Sequence, residues 1–378
     1  MNKLLTTILF IPTLAFSQLV VPSGTTMTVG ANTLISTDGN VVVQSANFSF
    51  QSVNDANNLG GLLLGGSGQQ GIGTANLLAI PNLIIDGGGT KGIIGQVLVT
   101  NQLELANGIV STPENDNVNF LAVGSNGEAT SNGTSWVTGP LLQQGSGAKF
   151  YPLGAANRYA PILLDVRGNE NTLTGARAYR NDGSFVVRNL PSNVDTVSSS
   201  WVWAVFAQEL NSVQVNLPIQ SEDEGLFTSN ENLPVVLEAD TVQNLSSNLG
   251  GFTTTIGSGF NAVGSDNASV NPGGDYVRLF LLGGVLTTVP VIHNILTPNN
   301  DGSNDFLVIQ AIGAYADDNE VILLDRWGTE VYRKKNFRNF NDIDNPYDGS
   351  FDDLSPGNYI CILKYAGQTA KQVITVLN

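Results

Sequence analysis

The sequence has almost no cysteine or histidine, and this scarcity excludes several kinds of site. Cys361 is the only cysteine, so no disulfide can form within the chain. His293 is the only histidine, and neither residue has the neighbouring Cys or His partners that a zinc site or a Cys–His dyad needs. Cys361 lies in an alternating apolar segment, which predicts a small buried side chain on a strand.

Charge is also scarce, especially positive charge. Charged residues make up 13% of the chain, with 16 Lys and Arg against 32 Asp and Glu, for a formal net charge of -16. Nucleic acids and anionic membrane surfaces both attract clusters of Lys and Arg. The composition therefore argues against either of them as a partner.

Sequence motifs of enzymes are missing as well. There is no P-loop, no G-x-S-x-G, no H-E-x-x-H and no G-x-G-x-x-G after a predicted strand. A Ser-His-Asp triad could form only around His293. The densest acidic cluster, Glu222 to Glu224, is expected to be a solvated loop, because adjacent carboxylates point in different directions. We therefore predict a protein that is not an enzyme and binds no cofactor, apart from a calcium ion considered below.

The first 17 residues have the pattern of a secretory signal peptide. Lys3 is the basic residue, Leu4 to Leu14 is the apolar stretch, and Ala15 to Ser17 is a cleavage site before Gln18. The apolar stretch is too short to span a membrane. We expect the mature protein to be exported.

Residues 18–135 are expected to form a β-solenoid-like repeat region. Short apolar runs recur roughly 20 residues apart, which is the spacing of stacked solenoid coils, and Gly/Asn/Ser/Thr turns separate them. A β-sandwich of many short hairpins is the alternative. Lys91 is the only basic residue between residue 19 and about residue 135, which argues against a solenoid polysaccharide lyase.

Residues 136–284 are expected to form a β-sandwich, because regular short strands alternate there with polar turns. Trp201 and Trp203 are two residues apart and should share one face of a strand. Core packing is the favoured interpretation of this pair, and a platform for sugar rings is the alternative. Residues 285–291 are predicted to be a linker.

Residues 292–378 are expected to form a small C-terminal β-sandwich that opens with the turn "TPNNDGSND". An EF-hand loop with Gly302 at its sixth position would put Val308 where a bidentate Glu is required, so this interpretation fails. A looser calcium site on Asn299, Asp301 and Asp305 stays open. A rigid, exposed turn without metal is the stronger interpretation, because Asn and Asp form Asx turns and Gly302 allows a positive φ.

This last unit contains four ordered motifs. Their residues are Thr297, Pro298, Asn299, Asp301, Gly302, Asn304 and Asp305, then Arg326, Trp327 and Gly328, then Asp348 and Gly349, and finally Pro356, Gly357 and Tyr359. Together they resemble the gliding-motility-associated C-terminal domain of Bacteroidetes, the type B sorting domain of the type 9 secretion system. Tyr347 stands where that family usually has Trp.

This resemblance implies export in two steps and attachment to the cell surface at the outer membrane. It implies the type 9 translocon and an outer-membrane barrel protein as partners, and a larger surface adhesin is a further candidate. We expect a non-enzymatic surface protein of a gliding bacterium that acts as an adhesin or as a structural part of the gliding or adhesion apparatus. The alternatives are a surface carbohydrate-binding protein and, less favoured, a glycan-active enzyme.

Overall fold

The computed structural model describes residues 13–377 except for 17, 52–59, 115–117, 182–184, 186, 188–189, 192–193, 225–231, 241–244, 272, 274, 287–289, 300–303, 316–317, 340–350 and 352–353. Regular structure in this part of the chain is almost entirely β, and it includes one 3-10 helix, Ile312–Tyr315. This confirms the all-β prediction. No helix among the described residues is long and apolar enough to cross a membrane.

The N-terminal part is built from fourteen strands. They are β1 Thr13–Phe16, β2 Leu19–Val21, β3 Met27–Val29, β4 Leu34–Thr37, β5 Val41–Val43, β6 Phe48–Phe50, β7 Gly61–Leu64, β8 Gln70–Thr74, β9 Leu78–Ile94, β10 Gln96–Ser111, β11 Phe120–Val123, β12 Glu128–Ser131, β13 Trp136–Thr138 and β14 Leu141–Gln144. The long strands β9 and β10 turn at corners, so that each contributes to more than one face.

Parallel pairing stacks these strands into three faces. One face runs β1-β4-β7-β9-β10-β12, and a second runs β2-β5-β8-β9-β10-β13. The third contains β3 beside β6 and, further along, β9-β10-β11-β14. Sequential parallel strands that stack in this way form a β-solenoid, as predicted. The paired hairpins of the alternative are not seen among these strands.

In-register stacking of apolar side chains builds the solenoid core. On the first face Leu62 pairs with Leu83, Leu83 with Leu103, and Leu103 with Ala129, and all four side chains are buried. Alternate residues of each strand point inward, so their apolar side chains stack on those of the neighbouring coils. Burial of such side chains contributes about 1.5–3 kcal/mol each relative to exposure.

Fourteen strands follow, and twelve of them belong to two antiparallel sheets. The fourteen are β15 Gly147–Tyr151, β16 Gly154–Ala155, β17 Arg158–Tyr159, β18 Ile162–Arg167, β19 Leu173–Arg180, β20 Val194–Val197, β21 Trp201–Gln208, β22 Ser212–Pro218, β23 Asn232–Asp240, β24 Leu245–Asn248, β25 Phe252–Ile256, β26 Phe260–Gly264, β27 Ser269–Val270 and β28 Tyr276–Leu286. Strands β16 and β17 pair with each other. One sheet runs β14-β19-β21-β28-β23-β24, and the other runs β15-β18-β22-β26-β25. Residues of both sheets share one buried cluster, which makes this region a sandwich.

The solenoid and the sandwich share a sheet. Strand β14 pairs in parallel with β11 on one side and antiparallel with β19 on the other. The predicted boundary between residues 135 and 136 therefore falls inside a continuous sheet, and the domain boundaries stay predictions.

The C-terminal part has seven strands and a core of its own. The strands are β29 Val291–Ile292, β30 Ile295–Leu296, β31 Ile309–Gln310, β32 Asn319–Leu324, β33 Glu330–Lys335, β34 Gly357–Tyr365 and β35 Gln368–Val376. Its main sheet runs β30-β35-β34-β32-β33. Cys361 lies inside this core, and burial raises the pKa of its thiol to about 12, which confirms the prediction of a small buried side chain.

Candidate functional site

The five-stranded C-terminal sheet brings the described sorting motifs to one of its ends. Leu296, Val376 and Gly357 lie side by side in one row across β30, β35 and β34. The opening turn begins directly after Leu296, and Pro356 directly precedes Gly357. Leu324 is opposite Ile360, so the turn after β32 projects from this same end. Motifs that are far apart in the sequence therefore form one surface, which we call the motif end.

The opening turn is held by its own hydrogen bonds. The Thr297 backbone N–H donates to the Asn304 carbonyl oxygen at 2.8 Å, and the Asn299 N–H donates to Asp305 Oδ1 at 3.2 Å. Asn304 has a left-handed φ of 54°, which an Asn tolerates well. Asp305 is buried and Asn299 is exposed. This geometry fits a rigid turn, while Asp301 and Gly302 lie outside the described residues.

The calcium site at this turn stays a prediction. Asp305 Oδ1 already accepts a hydrogen bond from the Asn299 N–H. Asp301, the central proposed ligand, lies outside the described residues. The part of the chain that the structure describes contains no group of three or more His, Cys, Asp or Glu residues that could hold a metal ion.

The second motif forms the tip of the β32–β33 hairpin. The Asp325 carboxylate accepts the backbone N–H groups of Trp327 and Thr329, both at 2.8 Å, as in an Asx turn. Gly328 completes the turn with a φ of 81°. The Trp327 side chain is 83% exposed, and the Arg326 guanidinium lies 5.8 Å from the centre of its ring. An exposed indole beside a cation is an unusual surface feature and a typical binding group.

The last motif mixes surface and core. Pro356 is exposed, whereas the Tyr359 ring is buried and its hydroxyl donates to the Ser355 carbonyl oxygen at 2.7 Å. Tyr359 therefore anchors this turn to the core and does not face a partner. The third motif, Asp348 and Gly349, lies outside the described residues.

The tryptophans of the sandwich are core residues. Trp201 and Trp203 are fully buried, their rings are 6.1 Å apart, and the Trp203 indole N–H donates to the Ala160 carbonyl oxygen at 3.0 Å. The favoured interpretation of this pair is confirmed. The sugar-platform interpretation is wrong for both residues, because a stacking platform has to be exposed.

The acidic cluster differs from the solvated loop expected of it. Asp223 is fully buried, its Oδ1 accepts the Ser198 hydroxyl at 2.6 Å, and burial raises the pKa of this carboxyl above its usual range. Glu222 is partly exposed and pairs with Arg158 at 2.8 Å and Arg180 at 2.7 Å. The Ser198 hydroxyl and two arginines from β17 and β19 hold these carboxylates in place, and sequence spacing does not show such partners.

Lys91 is buried in the solenoid, whereas His293 is exposed. The Lys91 side chain is buried, and its ammonium donates to the carbonyl oxygens of Gly66 and Gly68, at 2.5 and 3.1 Å. It thereby closes a turn of the coil below. Burial lowers its pKa. His293 is exposed in the segment between β29 and β30.

A comparison with known families decides what the motif end belongs to. Residues 290–376 match the family model described as "CHU_C Type IX secretion signal domain". The C-terminal domain is a match to that export signal. This confirms the resemblance seen in the sequence, and such a signal implies delivery to the cell surface and interaction with the type IX secretion system. No curated protein and no solved structure matches the chain.

Proposed function

We propose that the chain is a non-enzymatic protein of the outer-membrane surface of a gliding bacterium. Its solenoid and sandwich would act as an adhesin or as a structural part of the gliding or adhesion apparatus. The observation that carries the proposal is the matched export domain at residues 290–376, which has a core separate from that of the solenoid and sandwich. A charge-poor solenoid attached to such a domain is well suited to present a surface outside the cell.

The non-enzymatic part of the proposal is supported by the positions of the groups that could have done chemistry. Lys91 closes a backbone turn, Asp223 is buried against Ser198, and Glu222 is paired with two arginines. Each of these groups already has a structural role that its removal would disturb.

The carbohydrate-binding alternative lost its main support when both sandwich tryptophans proved to be buried. We therefore treat carbohydrate binding only as a possible result of the following experiment. Binding to a glycan array by the full chain, unchanged in a variant with an altered export domain, would restore it.

Deletion of residues 292–378 tests the export step. We expect the truncated chain to stay in the periplasm, because it lacks the signal that the secretion system recognises. Protease added to intact cells should then spare it while digesting the full-length chain. The reciprocal experiment attaches residues 290–378 to a periplasmic reporter, which we expect to appear at the surface. A truncated chain that still reached the surface would refute the proposal.

Purification of the tagged full-length protein from cross-linked cells tests the role at the surface. Recovery of an outer-membrane barrel protein together with a much larger surface adhesin would favour a component of the apparatus. Recovery of the barrel alone, with loss of cell attachment on deletion of the gene, would favour an independent adhesin.

A further inference from the structure

The outer face of the C-terminal sheet carries an exposed apolar row. Along β34, Tyr359, Cys361 and Leu363 point into the core, so Ile360 and Ile362 point outward. Leu324, Ile360 and Val373 lie side by side across β32, β34 and β35. Ile360 is 39% exposed and Val373 is 52% exposed. Three adjacent apolar side chains on an open face form a patch and are not scattered single residues.

This row lies next to the motif end. Leu324 is the last residue of β32, and the tip with Trp327 follows directly. Val331, near the start of β33, is 41% exposed and adds to the patch from the other side of the tip. The most exposed indole described in the chain thus borders the exposed aliphatic row. We call the row and this tip together the outer patch.

Positive charge flanks the outer patch although the whole chain is strongly acidic. Pairing places Arg333, Lys335, Lys364 and Lys371 on the outward face, together with Glu320 and Glu330. Arg333 pairs with both glutamates, and Lys364 pairs with Glu320 at 3.0 Å. Lys335 and Lys371 make no ion pair with another described residue. The described residues of this face therefore carry net positive charge, in a chain of net charge -16.

We propose that the outer patch docks on an acidic, apolar-centred protein surface of the secretion machinery. This inference rests on the proposed export function and assigns it a contact surface. The exposed Trp327 and the aliphatic row would supply the buried centre of the interface, and Lys335 and Lys371 its charged rim. Opposite charge on the partner would steer the encounter and fix its orientation.

Other modes of contact fit the same surface less well. The free edge strand β33 carries Arg333 and two lysines, which discourage pairing with another strand. A symmetric dimer through the outer patch would place like charges against each other. The total charge of -16 opposes adsorption of the chain to anionic lipid.

Surface delivery of full-length variants in the native host tests the proposal. Truncation of a central aromatic residue typically weakens an interface about 30-fold. We therefore expect Trp327→Ala and Ile360→Asp each to reduce the protease-accessible fraction about tenfold or more. The double variant Lys335→Glu/Lys371→Glu should slow delivery severalfold. Val270→Asp is the matched control, because Val270 is 62% exposed in the sandwich, and it should be delivered normally.

Photo-crosslinking identifies the occupant. A photoreactive residue at position 373 should crosslink in intact cells to an outer-membrane component of the secretion machinery, whereas one at position 270 should not. Thermal unfolding of the purified variants should match that of the parent chain, because the substituted side chains are exposed. Normal delivery of both the Trp327→Ala and the lysine double variants would overturn the proposal.

Two further measurements test other occupants, and the deletion test separates the two proposals. Binding of the purified chain to phosphatidylglycerol vesicles, abolished by Lys335→Glu/Lys371→Glu, would overturn the proposal in favour of a lipid surface. Self-association in sedimentation, abolished by Trp327→Ala, would overturn it in favour of a second copy.

If deletion of residues 292–378 blocks export but the patch variants are exported normally, only this inference fails. If the deleted chain is exported, the proposed function fails as well.

Discussion

The solenoid and the C-terminal sheet are both β-structure with apolar cores, yet they use their surfaces in opposite ways. The solenoid buries its single described lysine, Lys91, against two backbone carbonyl groups. The C-terminal sheet exposes Lys335, Lys371, Ile360 and Val373 on its outer face. The solenoid pairs its buried lysine with its own backbone, whereas the C-terminal sheet leaves charged and apolar side chains available to a partner.

The difference follows from how each region is stacked. In the solenoid every interior coil has a coil above and below it, so apolar groups and backbone groups find partners within the chain. Among the described residues, the core of the C-terminal sheet lies on one of its faces, and the other face carries exposed side chains. A sheet with one open face can present a patch without disturbing its fold, which suits a domain read by export machinery.

Deletion of core methyl groups should give the largest effect and test whether the two regions are energetically separate. Leu103 and Leu363 are both fully buried but belong to different clusters. We expect Leu103→Ala and Leu363→Ala each to cost about 2–5 kcal/mol, from lost burial and the cavity left behind. Hydrogen exchange followed by mass spectrometry should show lost protection only in the region that carries the substitution.

The control for this pair is Val270→Ala, at an exposed apolar position, which should leave protection unchanged in both regions. Loss of protection throughout the chain in either leucine variant would show that the two cores unfold together, contrary to the comparison.

Alanine substitutions at two glycines with positive φ should separate the stability cost of steric crowding from that of backbone strain. Gly95 lies at a solenoid corner with φ 100°, where an added Cβ would overlap the hydroxyl and carbonyl of Thr74. Gly328 has φ 81° at the hairpin tip, where an added Cβ meets nothing. We expect Gly95→Ala to cost about 3 kcal/mol and Gly328→Ala only about 1 kcal/mol in chemical denaturation. Equal costs would mean that the corner relaxes freely.

Two lysines should lose different amounts of stability when their charge is removed. Lys91→Met leaves the carbonyl groups of Gly66 and Gly68 without their donor, which lowers the free energy of unfolding by about 1–3 kcal/mol. The variant no longer buries an ammonium group, and this gain offsets part of the cost. We therefore expect the free energy of unfolding to fall by about 1–2 kcal/mol. Lys335→Met should change stability by less than about 0.5 kcal/mol, since Lys335 is exposed. Thermal melts of both variants check this, and a stable Lys91→Met protein would contradict the structural role.

The architecture could be predicted where local patterns repeat. The recurrence of apolar runs roughly 20 residues apart, although irregular, predicted stacked coils, because each coil buries the same inward positions. The alternation of apolar and other residues around Cys361 predicted its burial, because every second residue of a strand faces the core. The join between solenoid and sandwich could not be predicted, since the pairing of β14 with both β11 and β19 depends on partners distant in sequence.

The site could be predicted in part. The motifs themselves were readable, but their convergence at one end of the sheet depends on the register of Leu296, Val376 and Gly357. The burial of Asp223 was missed because its partner, Ser198, comes from another segment of the chain. Exposure of the row through Ile360 needs the strand order, which alternation alone does not give.

The smallest expected effects come from two carboxylates whose pKa values shift in opposite directions. Burial raises the pKa of Asp223, so its ionised form weakens the fold at neutral pH and this penalty disappears as pH falls through the raised pKa. Hydrogen bonds from Lys364 and Arg333 lower the pKa of Glu320 on the outer face, so its contribution is present at neutral pH and is lost in acid. Asp223→Asn should therefore raise the melting temperature at pH 7, and Glu320→Gln should lower it slightly.

Both differences from the parent chain should shrink as the pH is lowered below the unfolded-state pKa of a carboxyl group, about 4. Asn can still accept the Ser198 hydroxyl, so the first substitution removes the charge and keeps the hydrogen bond. Thermal melts from pH 7 to pH 3 measure both curves. A fall in stability on Asp223→Asn at pH 7 would mean that attraction to Arg180 outweighs burial, and the sandwich would then resemble the C-terminal sheet in using its charges to stabilise the fold.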